Sequence, residues 1–310
     1  MRNSREMRRE AWGILKGKWF WRLLSAAFLL QLIAQVVNGV LTRAYAALGI
    51  TTVGDYLMAK IKAAQQGLSY SLPTAKAYYW MAGGFAFQLF IAYIFAAIFA
   101  FGFMGLLLKA ARNDESRWFA GSFDGFARPL EITWLLALMN LMTVLPIVVC
   151  RAAGAAVKFA LRFLGPLGAF LGAVATLALL IVGAVCAVAI IYGYRQAWFI
   201  KNERPDAPAV ECLRSSRRMM IGFKWRAFCL DFSFVGWLVL VALLLLCAGA
   251  CAQVSQMDGV HIAVDVVSFL LGVVAFWAFV KVVLGMAVAR VVFYRELQKV
   301  TGESAAGGES

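Results

Sequence analysis

Six long stretches of the chain contain no Asp, Glu, Lys or Arg: 23–42, 77–108, 132–150, 163–194, 232–257 and 266–280. A helix rising about 1.5 Å per residue needs roughly 18–20 apolar residues to cross a hydrocarbon layer. Five of the six stretches reach that length, and Lys281 interrupts the sixth. Nothing alternates with the period of two that barrel strands show, and a lipid-exposed backbone satisfies its hydrogen bonds within a helix. The pattern predicts an all-α membrane helix bundle in one domain over residues 1–300, with a disordered tail at 301–310. Its six spans run roughly over 20–42, 80–108, 132–150, 167–192, 227–248 and 262–288.

Between the spans the period changes to that of surface helices. Residues 3–18 have Asn3 as N-cap, Glu6 three positions on, and Met7, Ala11, Ile14 and Leu15 on one face. Residues 207–221 follow the break at Pro205, with Asp206 as the expected N-cap and Val210, Leu213 and Met220 set against Arg214, Arg217 and Arg218. Thr52, Asp55 and the stripe Val53, Leu57, Ile61 and Ala64 predict a third such helix, a candidate lid. Gly168 and Gly172 have the GxxxG spacing that lets helices approach closely, which makes the fourth span the expected centre of the bundle.

Composition agrees: 63% of the residues are apolar and 15% charged, with mean hydropathy +0.79. Apolar residues 23–42 could be taken for a secretory signal, with Ala44-Tyr45-Ala46 as a cleavage-like site. Their length predicts a retained span instead. The segments 1–19, 109–131, 195–226 and 290–310 hold 21 Lys and Arg, against seven in 43–79, 151–162 and 249–261. That bias places both termini on the cytoplasmic side. The net charge of +14 flanks apolar helices in four separate segments. Anionic lipid headgroups account for it at about 1 kcal/mol per cation, and nucleic acid is not an expected partner. Trp19, Trp21, Tyr78, Tyr79, Trp80, Trp134, Tyr192, Tyr194, Trp198, Trp225 and Tyr294 read as interfacial belts. The six cysteines include no CxxC pair, and Cys150, Cys247 and Cys251 near the outer face leave room for one disulfide.

Charges in or near the hydrocarbon layer are the candidate chemistry, since each costs several kcal/mol unless paired or solvated. Arg22, Asp231, Asp265 and Lys281 qualify. Asp231 is expected about one turn below the inner interface, paired with Arg22 or reaching Ser233 and backbone donors; a proton or ion site is the functional alternative. Lys281 snorkels at the inner edge if the last span ends near 280, and needs Asp231 or a phosphate if the helix continues to Val288. Lys224-Trp225 opens the fifth span as Lys18-Trp19 opens the first, a weak internal echo. The lone His261, beside Asp258 and Asp265, reads as a solvated loop residue. No HExxH, GxSxG, P-loop or Cys-His arrangement is present, so no catalytic, metal or cofactor residue is expected. Two functions remain: a non-enzymatic scaffold binding membrane proteins or further copies of itself, and a small transporter or lipid-handling protein.

The run SRRMMIGFKWRAFCLDFSFVGW, Ser216 to Trp237, resembles the signature of the bacterial integral membrane family catalogued as domain of unknown function 975. The amino-terminal LKGKW, the segment FAGSFDGF (Phe119 to Phe126) and the closing FYREL (Phe293 to Leu297) extend that resemblance over most of the chain. The sequence departs from the family at Lys281-Val282-Val283, where a Pro-Tyr pair is common, and in an expanded segment from Arg151 to Pro166. The resemblance implies membrane residence and supplies no activity or substrate.

Overall fold

Every apolar stretch is helical in the computed structural model of the chain, which describes residues 2–47, 61–62, 65–66, 75–116, 118–257 and 261–302. No strand occurs among the described residues. Among the described residues ten helices carry the fold: α1 (Ser4–Leu15), α2 (Lys18–Ala47), α3 (Ala75–Arg112), α4 (Pro129–Ala160), α5 (Gly165–Tyr194), α6 (Ala197–Glu203), α7 (Ala209–Met219), α8 (Lys224–Phe232), α9 (Val235–Met257) and α10 (His261–Thr301). Among the described residues five helical runs are long and apolar enough to cross a membrane: Lys18–Ala44, Ala82–Arg112, Pro129–Glu203, Lys224–Gln253 and Val264–Thr301. The third contains two expected spans. A 3-10 turn over Leu161–Leu164 and Gly165, at φ +61°, fold it back on itself as α4 and α5. Only glycine adopts that backbone conformation without strain.

The buried core lies at one end of these helices, the end holding α1, α6, α7, α8 and the carboxyl half of α10. Met7, Ala11, Phe199, Cys212, Met220, Leu230, Phe234 and Tyr294 are all buried there. α1 runs antiparallel along α10, with Trp12 packed over Gly285 and Arg2 paired to Glu296. Glu6 accepts a hydrogen bond from the Asn3 backbone N–H at 3.3 Å, as the capping pattern predicts. Asp206 does not cap α7. It accepts from Arg128 at 2.7 Å, and Pro208, with its fixed φ, stands at the N-cap. Cys212 on α7 is buried, and that burial pushes its thiol pKa up. In the folded protein Cys212 is expected to resist iodoacetamide at pH 8 and to react after unfolding, as peptide mass spectrometry would read.

Away from this hub the long helices leave their apolar sides open and pair locally. Gly154 faces Thr176, Gly172 faces Lys158 and Gly183 faces Cys150, a register that makes α4 and α5 an antiparallel hairpin. Gly168 lies against the Leu161 carbonyl inside that same hairpin. The small residues thus serve a local pairing, and α5 is not the centre of the bundle. α2 and α3 pair antiparallel from Trp19–Asn113 at 2.9 Å to Asn38–Gln88 at 2.5 Å. Ser268 on α10 donates to the Ala248 carbonyl on α9 at 2.8 Å.

The structure adds a break and an extension to the expected helices. The run Lys224–Gln253, which contains the fifth expected span, is broken between α8, ending at Phe232, and α9, starting at Val235. The joint forms because Phe234 is fully buried in the hub, while Ser233 turns its hydroxyl back to the Leu230 carbonyl at 2.7 Å. The last helix continues past 288 to Thr301, since Val288, Val292, Phe293 and Leu297 are core residues. The belt reading fails for three aromatics. Trp19, Trp198 and Tyr294 are buried, whereas Trp21, Trp134 and Trp225 are exposed. All six cysteines are free thiols. The expected helix over 52–67 lies outside the described residues except at 61–62 and 65–66, and the tail from 303 lies outside them entirely.

The FAGSFDGF motif acquires a packing role. Gly125 faces the Ile98 carbonyl and Gly102 of α3 faces the Ser122 carbonyl, so that a Cβ at Gly102 would collide with backbone. Gly102→Ala is expected to cost about 1–3 kcal/mol, read as a lowered unfolding midpoint in detergent.

Candidate functional site

Asp231, near the end of α8, is joined by side chains from two other helices. Arg195, just beyond α5, donates Nη1 to Oδ2 at 2.7 Å and Nη2 to Oδ1 at 3.2 Å. Arg290 on α10 approaches Oδ1 and Oδ2 at 3.4 and 3.5 Å, and the Tyr192 hydroxyl donates to Oδ2 at 3.1 Å. The Arg195 and Asp231 side chains are only 9% and 16% exposed. A bidentate guanidinium on a nearly buried carboxylate is among the stronger polar contacts in proteins. Here it ties α5, α8 and α10 together.

Neither sequence-based partner of Asp231 is the one used. Arg22 turns to the opposite side of α2, where its guanidinium lies over Trp19 and Trp118 at 5.1 and 5.4 Å and reaches Glu115 at 3.4 Å. Lys18 pairs with the same Glu115. Lys281 does not meet Asp231 either; its Nζ stands over Trp277 at 5.2 Å and Phe20 at 5.9 Å. A cation over a ring face holds its charge without a carboxylate. Ser233 does not serve Asp231: its hydroxyl is turned back to Leu230, and its carbonyl accepts from Arg8 at 2.7 Å.

Lys224 and Trp225 open α8 on its exposed side. Trp225 stacks on Phe228, with ring centres 5.2 Å apart, and Phe228 on Phe232 at 5.9 Å. Together they give the short helix an apolar outer stripe opposite the buried Ala227 and Leu230, and Ile221 in the turn before it is exposed as well. The echo with Lys18-Trp19 is therefore one of backbone. Trp19 is buried and donates to Asn113 at 2.9 Å, while Trp225 is 72% exposed.

A second polar centre went unforeseen. Lys201 on α6 is 1% exposed and donates to Glu131 at 2.7 Å and to the carbonyls of Pro205 and Ala207, both at 2.8 Å. Two residues on, Glu203 accepts from Arg112, from the Tyr294 hydroxyl at 2.7 Å and from Gln298 at 2.6 Å. Arg295 closes α3 by donating to the Ala111 carbonyl at 2.6 Å. The available signal was AWFIK, in which Lys201 stands among residues too apolar for a wet loop.

These charges fix helices to one another. No group of three His, Cys, Asp or Glu side chains able to hold a metal occurs among the described residues. A cleft of about 650 Å³ between α2, α3 and α10 is walled mainly by aliphatic and Phe side chains, with Gln31, Asn38 and Gln88 as the polar side chains among the described residues that line it. No curated protein and no solved structure matches the chain. The family described as "Protein of unknown function (DUF975)" matches over residues 1–301, nearly the whole chain and all the ion pairs above, and the protein belongs to it.

Proposed function

We propose that the protein is a non-enzymatic scaffold or accessory protein of the bacterial cytoplasmic membrane, crossing it six times with the hub on the cytoplasmic side. One observation carries this reading: Asp231, the best candidate for a transport site, is occupied by Arg195, Arg290 and Tyr192 inside the packed hub. A transporter of polar solutes needs a polar, water-reachable cavity near the membrane midplane. The cleft between α2, α3 and α10 is apolar instead. The open sides of the α4–α5 and α9–α10 hairpins, bearing Leu177, Phe170, Leu246 and Phe269, are the surfaces offered to lipid and to partner membrane proteins or further copies of the chain. Reconstituted in liposomes, the protein is expected to pass no protons or small ions above the rate of empty vesicles. A flux abolished by Asp231→Asn or Lys281→Gln, in protein that remains folded, would overturn the reading.

The orientation has its own test. In a cysteine-free background, Gln65→Cys and His261→Cys are expected to react with an impermeant maleimide on intact cells, and Arg214→Cys only after permeabilisation. The reverse pattern would invert the topology. A lipid-handling role is favoured by one feature, the 650 Å³ apolar cleft, whose Ala34, Ala92 and Ala96 leave room for an acyl chain. Transfer of a fluorescent phospholipid between leaflets, lost on Ala96→Trp, would support it over the scaffold.

A further inference from the structure

Arg5, Arg8, Arg9, Trp12 and Lys16 follow one another at i, i+3, i+4, i+7 and i+11, forming one stripe on α1 beside its buried face. The stripe lines two adjoining clefts that share Trp12 and Lys16 as a common wall. The first, about 480 Å³, holds Arg5, Arg8 and Arg9 and is closed by Trp237 at the start of α9. The second, about 450 Å³, lies between α1, the start of α2 and α10, where Lys281 stands beside Trp277 and Trp21. No carboxylate among the described residues lines either cleft. The acids of α1 are used elsewhere, Glu10 on Arg2 and Glu6 on the Asn3 backbone. Arg8 donates to the Ser233 carbonyl, which holds the α8–α9 joint and leaves its charge uncancelled. Five cations therefore converge on two concave, tryptophan-walled spaces without an anion.

The depth of these clefts fits one kind of anion. They lie where the apolar runs of α2 and α9 begin and where that of α10 ends, the level at which indole rings and phosphate groups meet at a membrane interface. Below them the exposed Leu240, Phe276 and Val273 give acyl chains an apolar path. We infer that α1, with the near ends of α9 and α10, forms a specific site for an anionic phospholipid headgroup, one phosphodiester in each cleft, so that a lipid carrying two phosphodiesters fits best. Lys16 between the clefts serves both phosphates, and Lys281 serves the second. The inference rests on the proposed membrane placement and turns a general attraction to anionic lipid into a site with an address.

Full-length protein in a neutral detergent, titrated with defined lipids and followed by thermal unfolding, tests it. A diphosphatidylglycerol lipid is expected to raise the unfolding temperature at lower concentration than phosphatidylglycerol, with phosphatidylcholine and inorganic phosphate inert. The triple variant Arg5→Gln, Arg9→Gln, Lys16→Gln, which spares Arg8 and its structural bond, is expected to weaken the apparent affinity about a hundredfold. Lys281→Gln alone is expected to remove the preference for two phosphates over one. The same charge change on the exposed face of α7, Arg214→Gln, Arg217→Gln, Arg218→Gln, is expected to leave the affinity within about twofold. Equal loss in both triple variants would mean diffuse attraction and overturn the site. An equal response to phosphatidylcholine would remove the anionic requirement, and saturation by inorganic phosphate would make it a free-phosphate site; either overturns it. Binding in micelles is independent of orientation and of flux, so a failed scaffold reading and a failed lipid site are told apart.

Discussion

Asp231→Asn is expected to destabilise the folded protein by about 3–5 kcal/mol, because it leaves Arg195 in the hub with no full counter-charge. The Arg195 side chain is 9% exposed and has no other carboxylate within hydrogen-bonding distance among the described residues, whereas Arg290 is 34% exposed and can turn to water. The amide would keep one acceptor for two guanidinium donors and lose the charge that both need. Denaturant titration in detergent micelles, followed by tryptophan emission, would read the change as a shifted midpoint. Replacing the pair together, Asp231→Leu with Arg195→Leu, is expected to recover much of the loss, since a buried ion pair is often matched in stability by apolar groups of similar volume. If Asp231→Asn left the midpoint within about 0.5 kcal/mol of wild type, the bond between α5, α8 and α10 would be peripheral. The view of Asp231 as structural would then fall with it.

Lys201→Met is the second large effect, at about 3 kcal/mol. Methionine conserves the buried stem but leaves the Pro205 and Ala207 carbonyls without the ammonium that now holds them. It also leaves Glu131, which is more than half exposed and stays solvated. The loss should therefore fall on the turn between α6 and α7 and not on the start of α4. Hydrogen exchange at Asp206 to Glu211 is expected to accelerate more than exchange at Thr133 to Leu136. Lys201→Arg is not expected to rescue, because the planar fork cannot direct three donors at three differently placed oxygens. Uniform acceleration over both segments would show that Lys201 acts through the whole hub.

The fold class was legible because span length and charge bias depend only on which residues are apolar. The amphipathic stripes of α1 and α7 were legible for the same reason, and the family motifs Ser216 to Trp237 and FAGSFDGF stood in the sequence before any helix was placed. The ion pairs were not. Depth in the membrane suggested Arg22 for Asp231, but depth says nothing of azimuth. Arg22 faces Glu115 across α2, while Arg195 and Arg290 reach Asp231 from helices 36 and 59 residues away in sequence. Arg195 and Lys201 were hidden inside a basic segment that charge counting assigned to the cytoplasmic face and its lipid headgroups. The break at Ser233 and Phe234 was obscured by an apolar run that reads continuously from Phe232 onward. Gly168 and Gly172 correctly announced a close approach, yet spacing could not tell a hairpin partner from a central neighbour.

The hairpin of α4 and α5 has legs of 32 and 30 residues, about 45 Å each, against a hydrocarbon layer of about 30 Å. Legs that long meet a bilayer by leaning. Because their glycine contacts are with each other, they are expected to lean together as a stiff pair from the hub end, where Ile132, Leu135 and Tyr192 hold them. In the proposed membrane placement, bilayer thickness is then expected to bear on the tilt of this pair together with that packing at the hub.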